Sequence, residues 1–548
     1  MSLGQEFNSI ERGQAMDLWS HSKRSSARGL VVFAALLAVL LMSAPGRAET
    51  ITAVMHSGLR VLDPIITTAH IVRNHGYMIY DTLLGTDAEG KIQPQMAEKW
   101  AVSPDGKTYT FTLRSGLKWH DGPPVKAEDC IASIKRFCEQ DKMGQVLMTM
   151  VADVKAVNDR TFQVILKEPT EVILTALSKP SGLAAFIMPK RVAETPSTTP
   201  IKEYIGSGPF KFVTAEFKPG IKAVYEKNKD YVPRSEPASG SAGGKVVHVD
   251  RVEWVTMPDH MTTINALLAG EIDYMEWVQF DLLPMVEGKK DIQVQVIEKQ
   301  GFQTMYRFNH LYPPFNNKLI RQAAMYAVRQ EDVLKALVGN PKYYKTCGAV
   351  FGCGTPFESS AGADMVVPSN PEKARELLKQ AKYDGTPVVV LHATDVSTIA
   401  SNPVVITAAL RKVGFTVDLQ SMDWMTLVGR RASMEPPAKG GWNLFSTNWL
   451  INEIMDPLRA ATVSANGKRA WFGWPEVKQI EDLKMKFART SNPAEQKKLA
   501  EEVQKVVIEE GVMVPLGQFY VPSAYRSSLT GVLDSPVPYF WNVKKSGK

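Results

Sequence analysis

Residue types able to carry covalent chemistry occur in this chain without the partners that such chemistry needs. Ser115-Gly116-Leu117-Lys118 has the S-x-x-K spacing of a serine nucleophile and its lysine, but no K-T-G or S-D-N accompanies it. No G-x-S-x-G, H-E-x-x-H or Walker A sequence occurs. The nine histidines are scattered: His70 and His75 miss the i, i+4 spacing of a helical ligand pair, and His120 sits in a turn. A stable zinc site needs three or four converging ligands, and the sequence displays no such set. No catalysis and no cofactor are expected. Binding chemistry is better provided for. Trp424, Trp449 and Trp471 stand in segments expected to be loops after strands. There their faces could wall a pocket that strips water from a ligand, with a few polar groups setting its orientation. The same residues would serve equally well as core tryptophans, because Trp is usually buried.

The elements that must hold those loops are mixed strands and helices. Residues 98–100 read as the end of a helix, followed by a Ser103-Pro104-Asp105-Gly106 turn. Tyr109, Phe111 and Leu113 alternate with threonines in a half-buried strand. A short strand at 117–119 and a Gly-Pro-Pro turn lead to a helix over 127–139. Strand patterns follow at 151–158, 161–166, 211–216, 221–227 and 246–256, and a helix at 259–269. Residues 234–244, rich in Gly and Ser, read as a flexible surface insertion. Residues 318–339 read as one long helix, and Asn370-Pro371 as a helix start. Strands at 388–392 and 415–421 flank a helix over 403–413 closed by Gly414, the strand–helix–strand unit of a parallel sheet. Helices at 476–490 and 493–510 precede a strand at 512–516, expected to return the chain to its first domain.

With 548 residues the chain is long for one core, and 22% charged with 44% hydrophobic residues is ordinary for a globular protein. The net charge of +7 is dispersed, so nucleic-acid binding is not expected. Lys23, Arg24 and Arg28 precede thirteen apolar residues, Leu30 to Met42, and then Gly46-Arg47-Ala48. This pattern makes residues 1–48 a cleavable secretory signal peptide, since thirteen residues cannot cross about 30 Å of hydrocarbon. A start at Met16 rather than Met1 would give a leader of more usual length. Export permits disulfides. Cys347 and Cys353 flank a short Gly-rich loop and are expected to pair, with free thiols as the alternative. Cys130 and Cys138, eight residues apart on a predicted helix, are separated by about 12 Å of rise, too far for a bond, and should be buried thiols.

From Trp100 to Asp129 the order W-x2-S-P-D-G-K-T-Y-T-F-x-L-R-x-G-x-K-W-H-D-G-x-P-x-x-A-x-D resembles the signature of family 5 extracellular solute-binding proteins, the peptide- and nickel-binding receptors of ABC importers. Leu62-Asp63-Pro64, Tyr80-Asp81-Thr82-Leu83-Leu84, Gly206-Ser207-Gly208-Pro209-Phe210, Gly270-Glu271-Ile272-Asp273 and Asp456-Pro457 extend the resemblance over nearly all of residues 50–545. It implies an α/β, periplasmic binding protein-like fold with two hinged lobes and three domains. Domain I would take residues 49–92, 207–302 and 513–548. Domain II, inserted in the N-terminal lobe, would take 93–206, and domain III 303–512. The implied function is capture of a peptide-like or other small polar solute in the periplasm by a monomer, which delivers it to an ABC permease in the inner membrane. A metal-chelate or haem carrier, or a secreted hydrolase, is the alternative on this scaffold. The resemblance also implies that Thr67, Thr68, Trp424 and Trp449 border the ligand. Two positions depart from dipeptide receptors. Asn452 stands where they hold the ligand amine with Asp, and Asp395 lies in the loop where they hold its carboxylate with Arg. Asp395 therefore implies a solute with a cationic or hydroxyl-rich end, or else it is simply a loop cap.

Overall fold

The computed structural model describes residues 49–257 and 259–547; the expected leader and the choice of start lie outside them. In chain order, β1 (Thr50–Val54) and α1 (His70–Ile79) come first. An inserted block follows: β2 (Ala97–Val102), β3 (Thr108–Leu113), α2 (Ala127–Gln140), α3 (Lys142–Met150), β4 (Val151–Asn158) and β5 (Thr161–Leu166). Then come β6 (Phe210–Phe212), β7 (Lys222–Lys227), β8 (Arg251–Val255), α4 (His260–Ala269), β9 (Tyr274–Met275) and β10 (Ile292–Gln295). The next section holds β11 (Phe302–Phe308), α5 (Lys318–Ala327), α6 (Gln330–Leu337), β12 (Tyr344–Lys345) and α7 (Pro371–Gln380). After it come β13 (Val388–Ala393), α8 (Asn402–Val413), β14 (Val417–Met422), α9 (Trp424–Arg430), β15 (Leu444–Leu450) and α10 (Ile451–Ile454). The chain closes with α11 (Lys478–Arg489), α12 (Pro493–Glu509), β16 (Val514–Phe519) and β17 (Ser523–Arg526).

Three main sheets organise these elements. A seven-stranded sheet has the order β6-β7-β8-β1-β9-β17-β10, with β1 parallel to both β8 and β9. A four-stranded antiparallel sheet, β2-β3-β5-β4, forms the inserted block. Its alternating strand β3 buries Tyr109, Phe111 and Leu113, and Phe111 stacks on its cross-strand partner Phe162 at 5.2 Å. A six-stranded sheet, β12-β16-β11-β15-β13-β14, forms the C-terminal part. Its central strands β11 and β15 are buried at every residue, as strands covered on both faces must be. The chain crosses between the seven- and six-stranded sheets twice, at 296–301 and at 520–522. At the first crossing Gly301 has φ +77°, and a Cβ there would sit 2.6 Å from the Phe519 carbonyl at the second.

Strands β4 and β5, helix α2 and the parallel unit β13–α8–β14 match the sequence reading, with Gly414 at φ 111° closing α8. Other segments differ for physical reasons. Residues 98–100 lie in strand β2, not a helix, because the Ser103–Gly106 turn closes a hairpin and so needs a strand on each side. Residues 117–119 make only a bridge, Lys118 to Pro124, since Pro123 and Pro124 have no N–H for a ladder. Strand β6 ends at Phe212, with a 3-10 turn at Thr214–Glu216, and β8 covers only Arg251–Val255 of the longer run expected. Residues 234–244 are anchored rather than flexible: Ser241 N–H donates to the Thr86 carbonyl at 2.9 Å, and its Oγ accepts from Thr86 N–H at 2.8 Å. A Cβ on Gly240 would lie 2.5 Å from the Thr86 carbonyl, so the small residues there permit close approach. The long helix breaks into α5 and α6, with Val328 extended between them and the buried Gln330 side chain bonded to Cys347 and Pro515 backbone groups. Finally, 512–516 falls largely in β16, which pairs with β11, so the return to the first sheet comes one strand later, at β17.

Cys347 and Cys353 are bonded, with Cα atoms 6.0 Å apart, while Cys130 and Cys138 are buried thiols. The bond closes a loop with a sequence separation of 6. Removing it as C347S/C353S is expected to cost about 2 kcal/mol by the loop-entropy relation. Urea unfolding checks this, and an unchanged midpoint would show that the bond contributes nothing.

Candidate functional site

Parallel pairing decides which loops meet. Strand β13 runs parallel to both β14 and β15, so the carboxyl ends of all three share one edge. Asp395, Trp424 and Trp449 are carried there. On the other sheet β1 and β9 are parallel in the same way, and His56 and Trp277 follow their carboxyl ends. The two edges face one another across a cleft. Its first chamber is lined by His56, Thr68 and Trp277 from one side and by Trp424, Arg431 and Trp449 from the other. An adjoining chamber is lined by Ser57, His260 and Trp277 against Asp395 and Ser397. The chambers hold about 30 and 90 Å³. That is well below the few hundred Å³ of an ordinary ligand pocket, so loading a solute requires the walls to separate.

Aromatic faces dominate the walls. Trp277 stacks on His56 at 4.2 Å and meets Phe302 edge-on at 5.5 Å. Trp471 stands behind Trp449, edge-on at 5.2 Å. Trp424 opens α9, where Asp395 Oδ1 accepts its backbone N–H at 2.7 Å and Asp423 caps the same helix. Asp395 is exposed, and its second oxygen leaves it able to face the adjoining chamber as well. Thr67 Oγ1 accepts Ala69 N–H at 3.3 Å and so shapes the entry to α1, while Thr68 lines the cleft.

A buried charge cluster ties the walls together. Glu453 Oε1 accepts from the Ser181 hydroxyl and from Gly182 N–H at 2.8 Å, and Oε2 accepts from Leu450 N–H at 2.9 Å. His70 Nε2 lies 3.1 Å from both oxygens, and Arg73 Nη1 lies 3.7 Å from Oε1 while donating to Ser181. Burial alone would raise the carboxyl, but His70, Arg73 and the Ser181 bond outweigh it and hold Glu453 at about 2. The backbone donors and the Arg73 charge act whatever the protonation of His70, whose own value burial lowers. Beside this cluster, Glu276 accepts from His56 Nδ1 at 2.7 Å and from Asn74 Nδ2 at 3.1 Å. Burial opposes ionisation of Glu276, yet His56 keeps it below the ordinary carboxylate range. Among the described residues no group of three metal-ligating side chains converges.

Sequence reasoning singled out Asn452, but that residue is half-buried and lines neither chamber. Its neighbour Glu453, on the four-residue helical turn that begins directly after β15, is the buried acid of the charge cluster and likewise lines neither chamber. Arg431, Arg73 and the His56–Glu276 pair were also missed. The only sequence signal was the Arg430-Arg431 doublet closing the segment that Trp424 opens.

Residues 91–469 match the profile of bacterial extracellular solute-binding proteins, family 5 Middle. The chain is 41% identical over 494 residues to a probable peptide ABC transporter periplasmic-binding protein of Sinorhizobium fredii, a match covering 89% of this chain and 92% of that one. It is 27% identical over 496 residues to the dipeptide-binding protein DppE of Bacillus subtilis, covering 84% of each. Its fold is similar to that of MoaA from A. tumefaciens R10 in complex with mannopinic acid, with a TM-score of 0.77 at 20% identity over 91% of this chain and 100% of that one. It is similar too to DppA of Helicobacter pylori in complex with the peptide STSA, with a TM-score of 0.75 at 22% identity over 91% and 98%. The mixed sheets, the double crossing and the facing strand ends are thus those of a periplasmic binding protein fold. The chain belongs to the family 5 bacterial extracellular solute-binding proteins.

Proposed function

We propose that this protein is the solute-capturing component of an ABC importer. It is exported to the periplasm by residues 1–48, acts as a monomer without nucleic acid or catalysis, and passes a peptide-like or other small polar solute to a permease in the inner membrane. Family membership gives the class, and the carrying observation is the aromatic cleft between facing strand ends. Domain I comprises 49–92, 207–302 and the C-terminal strand region, domain II 93–206 and domain III the section built on the six-stranded sheet. Closure follows from contacts that exist only when both walls touch the solute, since each such contact shifts the population toward the closed state. Thr67, Thr68, Trp424, Trp449 and Trp471 shape the pocket, and Asp395 faces a cationic or hydroxyl-rich end of the solute.

Native mass spectrometry of protein purified without refolding is expected to reveal a bound solute. Calorimetry with that solute then measures the walls: Trp449→Ala should raise Kd by about tenfold or more, the size expected of a central aromatic anchor. A solute bound equally well by wild type and by Trp449→Ala would remove this cleft from the proposal.

A further inference from the structure

Resting on the reading of the cleft as a solute site, we infer that Arg431, together with the Trp449 indole N–H, is a carboxylate anchor, so that the captured solute is an organic acid. Five arginines are buried among the described residues: Arg73, Arg136, Arg307, Arg321 and Arg431. Four have their guanidinium N–H groups engaged. Arg136 pairs with Asp63, Arg321 bonds the Glu510 and Phe315 carbonyls, Arg73 donates to Asn74 and Ser181, and Arg307 donates to backbone carbonyls including those of Phe472 and Val512. Of these five, only the Arg431 guanidinium donates to no protein acceptor, although the residue is only 2% exposed. Its position is nonetheless fixed. The guanidinium lies 5.2 Å from the Trp424 ring centre and 5.0 Å from Phe472, and its backbone carbonyl accepts from Trp442 Nε1 at 3.2 Å.

The unpartnered atoms are Nε and Nη2. These two N–H groups lie in the guanidinium plane along one edge and form the parallel fork that matches the two oxygens of a carboxylate. Trp449 Nε1, in the same chamber wall, is a further buried donor without a partner. A carboxylate is an acceptor only, so it satisfies this set without leaving a donor of its own unpaired. Aromatic faces recover part of the cost of a buried cation, but they accept no hydrogen bonds in the plane of the fork. Asn448 Oδ1, a buried side-chain acceptor without a partner in the chamber lining, suits a neighbouring N–H or O–H of the same solute. With Asp395 at the adjoining chamber, the cleft selects a solute that is acidic at one end and hydroxyl-rich or cationic at the other.

The test uses two matched pools as probes: di- to tetrapeptides and benzoate as free acids, and the same peptides as C-terminal amides with benzamide. Binding is read by native mass spectrometry and by tryptophan fluorescence. Wild type is expected to bind the acids at least about tenfold more tightly than the amides, the worth of a charge-assisted pair. R431Q should abolish that preference. R431K, which keeps the charge but not the fork, should retain part of it. W449F, which removes one donor, should weaken the acids more than the amides. Circular dichroism establishes that each variant is folded, and if R431Q is not, R431K and W449F decide. Equal binding of acids and amides, an undiminished preference in the variants, or no bound acid overturns the assignment. Capture of neutral or cationic members alone would overturn it while leaving solute capture standing. A protein that retains no solute of any charge, from either pool or from its own preparation, would overturn both.

Discussion

Replacing Glu453 with Ala is expected to destabilise the folded protein by about 3–5 kcal/mol, the range for removing one member of a buried charge cluster. The carboxylate collects the His70 ring, the Ser181 hydroxyl and the N–H groups of Gly182 and Leu450, and it offsets the Arg73 charge. Removing it leaves these groups buried and underpaired. Its partners come from α1, from the loop at 181–182 and from the end of β15, so the loss should also loosen the closed arrangement of the cleft. The pH dependence has a definite sign. The folded-state value is about 2, below the ordinary 4.5, so Glu453 contributes stability that is fully present above about 4.5 and is lost as pH falls toward 2. Urea titrations at a series of pH values should therefore show this acid-sensitive part in wild type and not in Glu453→Gln. A Glu453→Ala protein as stable as wild type at neutral pH would refute the clasp.

Asp63→Ala is expected to be nearly as damaging, at about 3 kcal/mol or more by the same reasoning. Asp63 is 1% exposed and accepts from Arg136 at 3.2 and 2.8 Å and from the N–H groups of Ile65 and Ile201, each at 3.0 Å. It joins the loop that carries Thr67 and Thr68 to helix α2 of the inserted block. Its loss therefore strands a buried guanidinium and releases one wall of the cleft, so affinity for the co-purified solute should fall as well. A double variant, D63L with R136M, should be more stable than Asp63→Ala, since two apolar groups leave no charge unpaired. Equal unfolding midpoints for the single and double variants would contradict this account of the pair.

Local pattern made much of the fold legible. The alternation of Tyr109, Phe111 and Leu113 and the Gly414 helix stop depend on neighbours in sequence, and both appear as read. What failed depended on distant partners. Residues 234–244 look unconstrained until Thr86 packs against Ser241, and residues 318–339 look continuous until Gln330 is drawn to Cys347 and Pro515. The site divides in the same way. Trp424 could be found because it follows a strand; Trp449 lies within the last residues of β15 rather than in a loop after it, but parallel pairing brings both to one edge. Glu453 and Arg431 could not, because what distinguishes them is how their side-chain hydrogen bonds are spent: both oxygens engaged in the Glu453 carboxylate, no acceptor found by the Arg431 guanidinium.

The account rests on two walls that close around a solute and release it unchanged. Small-angle X-ray scattering with and without the co-purified solute, followed by mass spectrometry of the solute released on unfolding, addresses it most directly. The radius of gyration should contract on saturation, and the released molecule should have the mass of the molecule added. Unchanged dimensions at saturation, or release of a product in place of the added solute, would contradict it.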